Sequence, residues 1–94
     1  MIRLIAQYRI KEGSLDKVQA AIQKFVTSVE REEPETRYEA YQLTDSNEFL
    51  HIMAFPNESA QEKHQNALYT IEFVEILYPN CIEEPKFTPV SIIK

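Results

Sequence analysis

Apolar and polar residues alternate along the first ten positions of the chain, which is the pattern of a β-strand. One set of alternate positions is wholly apolar or aromatic: Ile2, Leu4, Ala6, Tyr8 and Ile10. Because successive side chains of a strand point to opposite faces, this strand has one fully apolar face. Gly13 then marks a turn, and Ser14 is expected to cap the helix that follows.

An amphipathic helix is predicted directly after this turn. Its apolar residues recur at spacings of three and four: Leu15, Val18, Ala21, Ile22, Phe25, Val26 and Val29. This spacing is typical of a helix that packs one face on a sheet. Pro34 ends the helix, because the residue before a proline is driven out of the helical region.

Two further strands, residues 36–44 and 48–55, are predicted to form a hairpin around the turn residues at 45–47. Both faces of the second of these strands are mostly apolar, with Phe49, Met53 and Phe55 on one and Leu50, Ile52 and Ala54 on the other. A single layer of helices covers only one face of a sheet. A second chain is therefore expected to cover the other face.

The last third of the chain predicts another helical segment and a final strand. Ser59 to Glu62 matches a capping box at the helix start. The inward stripe that follows contains one histidine: Ala60, His64, Ala67, Leu68, Ile71, Val74 and Tyr78. The β-branched pair Thr70 and Ile71 leaves two interpretations open, one bent helix or two consecutive helices. Residues 86–93 predict the final strand, interrupted by a proline that favours an edge.

The order strand, helix, strand, strand, helix, strand predicts an α+β fold of the ferredoxin-like βαββαβ class. Such a fold has a four-stranded antiparallel sheet with the helical segments on one face. The 94 residues fit one domain spanning positions 1–94. A domain of this size buries a smaller share of its surface than a larger domain does and gains from pairing, so a homodimer is expected.

Composition and charge argue against several classes of partner and cofactor. The net charge is −5 and the ten basic residues are scattered, so neither nucleic acid nor an anionic membrane is an expected partner. A lone cysteine, Cys81, fits a reducing cytoplasm. One glycine cannot build a phosphate-binding loop, and the two histidines lack the spacing of metal ligands. We therefore expect no nucleotide cofactor and no metal.

Candidate chemistry rests on a few polar or aromatic residues among apolar ones: Gln7, Tyr8, Tyr38, His51, His64 and Tyr69. Buried tyrosine and histidine are more often structural than catalytic, and packing is favoured for His51, including packing at a dimer contact. His64 differs, since its small neighbours Ala60 and Ala67 leave space beside the ring. A general base toward a phenol and a structural hydrogen bond both fit this histidine.

The chain as a whole resembles the antibiotic biosynthesis monooxygenase family. The resemblance rests on the opening IRLIAQYRIKEGSLDKVQAAIQKF, the hairpin YEAYQLTDSNEFLHIMAFPNESA and the step from Ala60 to His64. It implies that two chains pair as a dimeric α+β barrel and that His64 faces a cleft between helices and sheet. It also implies a cofactor-free monooxygenase that oxidises a small phenol or hydroquinone with O2.

The resemblance further implies roles for individual residues. His64 would be the base or phenolate partner, Gln7 an orienting amide, and Tyr8, Tyr38 and Tyr69 the substrate-binding pocket wall. Tyr69 stands where many members carry a second histidine or another polar residue, and the chain has no tryptophan. The alternatives are a ligand-binding or sensing barrel of the same fold without turnover, and a purely structural dimer.

Overall fold

A computed structural model describes all 94 residues. The elements, in chain order, are β1 (Ile2–Arg9), α1 (Leu15–Glu32), β2 (Arg37–Gln42), β3 (Glu48–Phe55), α2 (Glu58–Asn66), α3 (Leu68–Leu77), a 3-10 turn (Tyr78–Asn80) and β4 (Lys86–Val90). The strands form one antiparallel sheet in the order β2-β3-β1-β4. This is the predicted ferredoxin-like arrangement, with the second helical segment present as two consecutive helices.

The sheet has one face beneath the helices and one face that no element of the chain covers. The covered face is formed by the residues that the pleat turns toward the helices, among them Leu4, Ala6, Tyr8, Tyr38, Phe49, His51 and Met53. The intervening residues form the uncovered face, among them Ile5, Gln7, Tyr41, Leu50 and Ile52. The two-faced apolar character predicted for β3 is therefore confirmed.

The main core lies between the covered face and helices α1 and α3. It joins the predicted stripe of α1 to two residues of α3, Phe73 and Leu77. The rings of Phe25 and Phe73 stack with centroids 4.4 Å apart and planes at 5°. Burying each such side chain contributes roughly 1.5–3 kcal/mol, so this layer fixes where the helices sit on the sheet.

The second helical segment breaks at Ala67 rather than at Thr70 and Ile71. Ala67 has extended dihedrals, φ −67° and ψ 142°, so α3 begins in a new rotational phase. Leu68 consequently points outward and is 69% exposed, and Ile71 is exposed as well. The predicted inward stripe was wrong at these two positions, because it continued the phase of α2 across the break.

Helix α2 is capped by Asn57 rather than by Ser59. The Asn57 side-chain oxygen accepts a hydrogen bond from the Ala60 amide at 2.9 Å. Ser59 is the second residue of the helix, so the predicted capping box was wrong. Ser14 precedes α1 as predicted, but its hydroxyl donates to the Asn80 side chain at 2.9 Å instead of capping the helix.

The final strand is shorter than the alternation predicts. β4 ends at Val90, and Ile92 and Ile93 lie beyond it, the latter 100% exposed. β4 is an edge strand, where the missing amide of Pro89 costs no essential ladder hydrogen bond. No helix of the chain combines the length and apolarity needed to cross a bilayer.

The position of the α2 cap can be tested with two matched substitutions. Asn57→Ala removes the side-chain acceptor at the helix start and should lower the free energy of unfolding by about 1 kcal/mol. Ser59→Ala makes the same kind of change at an exposed helical position and should alter it by less than about 0.5 kcal/mol. Urea unfolding measures both. The reverse order would place the cap at Ser59.

Candidate functional site

His64 lies on α2 with its ring turned toward the covered face of the sheet. The residue is only 6% exposed. Its ring stacks on Tyr38, with centroids 5.6 Å apart and planes at 26°, and also packs on Phe55 at 5.0 Å. Ala60, one turn earlier in the helix, is small enough to leave room beside it. The ring therefore sits among aromatic groups at the inner side of α2.

A buried glutamate holds this ring, rather than a backbone carbonyl. The Nδ1 atom of His64 lies 2.9 Å from Oε2 of Glu33, and Glu33 is 5% exposed. Glu33 is the C-cap of α1, where the chain leaves the helix before Pro34. Lys63 of α2 forms a second hydrogen bond to the end of α1, donating to the Glu32 carbonyl at 3.1 Å. The end of α1 and the inner side of α2 are thus joined by polar contacts.

Sequence reasoning missed Glu33, although a signal for it was present. It lies in the acidic run EREE, which is typical of a solvated helix end. Yet Glu33 follows Val29 by four residues and Val29 follows Phe25 by four, so it continues the buried stripe of α1. An acid in the phase of an apolar stripe is the signal of a buried, paired carboxylate.

Tyr69 is the second hydrogen-bond donor to Glu33. Its hydroxyl donates to the same Oε2 atom at 2.5 Å, from the first turn of α3. Burial, and then the neighbouring Glu33 carboxylate, raise the pKa of Tyr69 above its ordinary value, so the phenol keeps its proton and remains a donor. The other carboxylate oxygen, Oε1, is buried without a partner. His64 and Tyr69 both contact the Oε2 atom of Glu33, which fits an ionised carboxylate that accepts hydrogen bonds and donates none.

This arrangement decides which nitrogen of His64 is left without a partner. Because the Glu33 carboxylate accepts, the Nδ1 atom of His64 carries a hydrogen in both charge states of the ring. The Nε2 atom is therefore the free acceptor of the neutral ring. No hydrogen bond within the chain occupies Nε2.

A cavity of about 480 Å³ lies beside His64, between the covered face and helices α2 and α3; we call it the His64 cavity. Most of its wall is apolar or aromatic: Leu4, Phe25, Tyr38, Met53, Phe55, Phe73, Val74, Tyr78 and Phe87. The polar wall residues are Gln61, His64, Gln65 and Thr70. The hydroxyl of Thr70 is buried without a partner. Its size and lining fit a small aromatic molecule that carries a few polar groups.

The second histidine is held in a different environment, on β3 beneath the helices. His51 is 1% exposed, and its Nε2 and Nδ1 atoms each lie 2.7 Å from a tyrosine hydroxyl, those of Tyr8 and Tyr38. Burial lowers the pKa of His51 to about 4, so the ring is neutral at pH 7. The packing interpretation for His51 agrees with this position. The suggested dimer contact does not, because the helices cover this face.

The structure brings four of the five predicted site residues into one connected region. Tyr38 lines the cavity beside His64, and Tyr69 reaches His64 through Glu33. Tyr8 lies behind Tyr38, linked to it by His51, and does not line the cavity. Its predicted place in the pocket wall is therefore corrected to a position behind that wall.

Gln7 is not brought to this region. Along β1 the residues with even numbers face the helices, so Gln7 lies on the uncovered face, where it is exposed. The sheet itself separates its amide from His64. Gln7 consequently leaves the set of residues that can contact a ligand in the His64 cavity. No three His, Cys, Asp or Glu side chains gather closely enough to hold a metal ion.

Most of the chain matches one known protein family. Residues 1–76 of the 94 match the family described as "Antibiotic biosynthesis monooxygenase". The chain belongs to the antibiotic biosynthesis monooxygenase family. The matched region includes Glu33, Tyr38, His64 and Tyr69. No curated protein matches the sequence.

Solved structures share the fold of this family member along its whole length. One described as an antibiotic biosynthesis monooxygenase has a TM-score of 0.89 and 20% identity, covering 100% of both chains. Rv0793 from Mycobacterium tuberculosis has a TM-score of 0.87 and 15% identity, covering 99% of this chain and 95% of its own. PA3566 from Pseudomonas aeruginosa has a TM-score of 0.83 and 21% identity, covering 99% and 94%. At these identities the likeness shows the fold alone.

The Glu33 to His64 contact in this family member can be measured by a double-mutant cycle. Glu33→Ala and His64→Ala should each destabilise the protein, and the double variant should lose less than their sum by about 1–3 kcal/mol. Each single change leaves the remaining group buried and unpaired, which is the reason for the coupling.

A neighbouring glutamate supplies the control for this cycle. Glu32 is exposed and its side chain does not contact His64, so a cycle of Glu32→Ala with His64→Ala should show coupling below about 0.5 kcal/mol. Urea unfolding of all six proteins gives the two values. Equal coupling for Glu32 and Glu33 would contradict a specific contact.

Proposed function

We propose that this family member is a cofactor-free monooxygenase that oxidises a small phenol or hydroquinone with O2. The observation that supports it is the placement of His64. Its ring lines an apolar cavity, Nδ1 is held by the buried Glu33, and Nε2 remains as the atom for proton exchange. Membership of the family supports the same class of reaction.

In the proposed reaction His64 acts as the general base. With the substrate ring in the cavity, the phenol hydroxyl donates to Nε2 and then transfers its proton there. The buried Glu33 carboxylate stabilises the imidazolium that forms, and it keeps the ring oriented through Nδ1. The products of this step are an aryl oxide anion and a charged histidine. A negative charge on the ligand and a positive charge on His64 thus form side by side.

The electron-rich aryl oxide then reacts with O2 at a ring carbon. For a phenol with a free para position, phenol and O2 yield the para-quinone and one water. One oxygen atom enters the ring and the other leaves as water. The four-electron oxidation of the phenol to the quinone balances the four-electron reduction of O2. The protein's contribution is a base, an oriented substrate and an apolar wall that excludes bulk water.

A second copy of the chain is part of this proposal. Two chains would pair through the uncovered face, which presents Leu50 and Ile52 on its central strand β3 and the exposed Tyr41 beside it. The exposed apolar residues Ile92 and Ile93 extend beyond β4 and would find cover in such a pair. Pairing would bury apolar surface that the 94-residue chain leaves in water.

The reaction is tested by O2 uptake with a panel of hydroquinones and phenols. His64→Ala should lower the rate at least 100-fold, within the range of about 10²–10⁴ for loss of a general base. Glu62→Ala, an exposed change on the same helix, should retain the wild-type rate. Wild-type protein that takes up no O2, or a fully active His64→Ala variant, would contradict the proposal. Phenol binding without O2 uptake would favour a ligand-binding barrel.

Pairing is tested by light scattering at micromolar concentration. The wild type should have twice the 11.0 kDa mass of the chain. Ile52→Glu places a charge at the centre of the uncovered face and should shift the protein toward the monomer. Ile71→Glu makes the same change at an exposed position of α3 and should remain a dimer. A monomeric wild type would contradict pairing.

A further inference from the structure

A chain of hydrogen bonds runs from the core to the His64 cavity and takes no part in the proton transfer to His64. It consists of Tyr8, His51 and Tyr38. The Tyr8 hydroxyl lies 2.7 Å from Nε2 of His51, and the Tyr38 hydroxyl lies 2.7 Å from Nδ1. Only the last member, Tyr38, lines the cavity. The chain therefore links a buried tyrosine to a wall of the ligand space.

His51 gives this hydrogen-bond chain a direction. The ring is neutral, because burial lowers its pKa to about 4, and a neutral imidazole carries one N–H and one acceptor nitrogen. One tyrosine must therefore donate to the ring and the other must accept from it. Which tyrosine donates depends on whether the hydroxyl of the other has a second acceptor.

Tyr8 is the residue that must donate. It is buried, and its hydroxyl has no partner other than His51. If it accepted from Nε2, its own O–H would be left buried and unpaired, which is costly. Tyr8 therefore donates to Nε2, and the Nδ1–H of His51 donates to the oxygen of Tyr38. The proton of Tyr38 then has no acceptor among the described hydrogen bonds, and Tyr38 is the member on the cavity wall.

We propose that Tyr38 donates its hydroxyl hydrogen to the ligand, and that Tyr38 and Nε2 of His64 bind the same oxygen atom of a phenol. The proposal rests on the function given above. The rings of Tyr38 and His64 stack with centroids 5.6 Å apart, and both residues line the cavity. Tyr8 and His51 act as positioning residues, since they reach the ligand only through Tyr38.

Tyr38 is suited to donate at every stage of the reaction. Burial, and then the nearby Glu33 charge, raise its pKa above the ordinary value, so it keeps its proton at neutral pH. As the substrate loses its proton to His64, negative charge develops on the oxygen that Tyr38 contacts. A donor fixed in advance stabilises that charge more than it stabilises the neutral phenol.

Together, Tyr38 and His64 favour a ligand whose oxygen atom can both donate and accept a hydrogen bond. A phenol hydroxyl can donate to His64 and accept from Tyr38 at the same time. An aryl ether can only accept, so it forms the bond to Tyr38 and leaves His64 without its donor. A quinone carbonyl likewise only accepts and loses the bond to His64. The site thus favours the reduced substrate over its oxidised product.

The direction of the hydrogen-bond chain is tested without any ligand. Nitrogen-15 NMR of the histidine side chains should show His51 as the Nδ1–H tautomer at pH 7. Tyr8→Phe removes the donor to Nε2 and should shift His51 toward the Nε2–H tautomer, in which Tyr38 donates to the ring. An Nε2–H tautomer in the wild type would overturn the proposal.

Ligand recognition is tested by the affinities of phenol, anisole and para-benzoquinone, measured by NMR titration in the absence of O2. Tyr38→Phe should weaken the binding of all three ligands about tenfold, the loss of one hydrogen bond of about 1.4 kcal/mol. Tyr8→Phe should weaken the binding of all three in the same direction, with Tyr38 intact. Glu62→Ala, an exposed change on α2 away from both the cavity wall and the uncovered face, should leave all three affinities unchanged.

These results separate the proposal from the function on which it rests. Tyr38-dependent binding of phenol with no O2 uptake would overturn the monooxygenase function and sustain the role of Tyr38. O2 uptake by wild-type and Tyr38→Phe proteins at equal rates, with equal phenol affinities, would overturn the role of Tyr38 alone. Failure of phenol to bind would overturn the proposed ligand.

Discussion

The hydrogen bond between Glu33 and His64 is the interaction on which the rest of the site depends. It places a carboxylate and an imidazole together in a part of the protein where neither would be stable alone. It also fixes the end of α1 against α2 and leaves Nε2 as the ring nitrogen without a hydrogen bond within the chain. Tyr69 completes the arrangement from α3. Three separate helices therefore meet at one carboxylate oxygen.

The two histidines show how the environment determines what the same side chain can do. His51 is enclosed by the sheet and the helices, has both nitrogens bonded to tyrosines and is held neutral by burial. His64 has one nitrogen on a carboxylate and its ring on the wall of the His64 cavity. Only His64 therefore combines an unbonded ring nitrogen with a place on the cavity wall. Tyr38 connects the two, by a hydrogen bond to one ring and a stacking contact with the other.

The fold was largely predictable from the sequence, because it depends on periodicity. Alternation identified the strands, and the spacing of Val18, Phe25 and Val29 identified α1 and its buried side. The errors concern helix boundaries, which depend on a few residues rather than on periodicity. Asn57 and Ser59 are both residue types that cap helices well, so the sequence does not show which of them does so. The break at Ala67 changes the rotational phase of α3, and no proline or glycine in the sequence marks it.

The site was less predictable, because its groups meet across elements. His64 could be found from its place in an apolar stripe. Glu33 could not be assigned to it from spacing alone, since 31 residues separate the two. Gln7 illustrates the opposite error: the family resemblance suggested a ligand contact, whereas the alternation of β1 places its side chain on the uncovered face. The side-chain alternation along a strand, rather than resemblance to a family, determines which face of the sheet a residue occupies.

The most direct test of this account is a crystal structure of the protein with a bound phenol that resists oxidation, such as 4-nitrophenol. We expect the ring in the His64 cavity, its hydroxyl oxygen within about 3.2 Å of Nε2 of His64, and Nδ1 still bonded to Glu33. A ligand bound elsewhere, or with its hydroxyl directed away from His64, would contradict the central claim that Glu33 prepares His64 to act on a phenol.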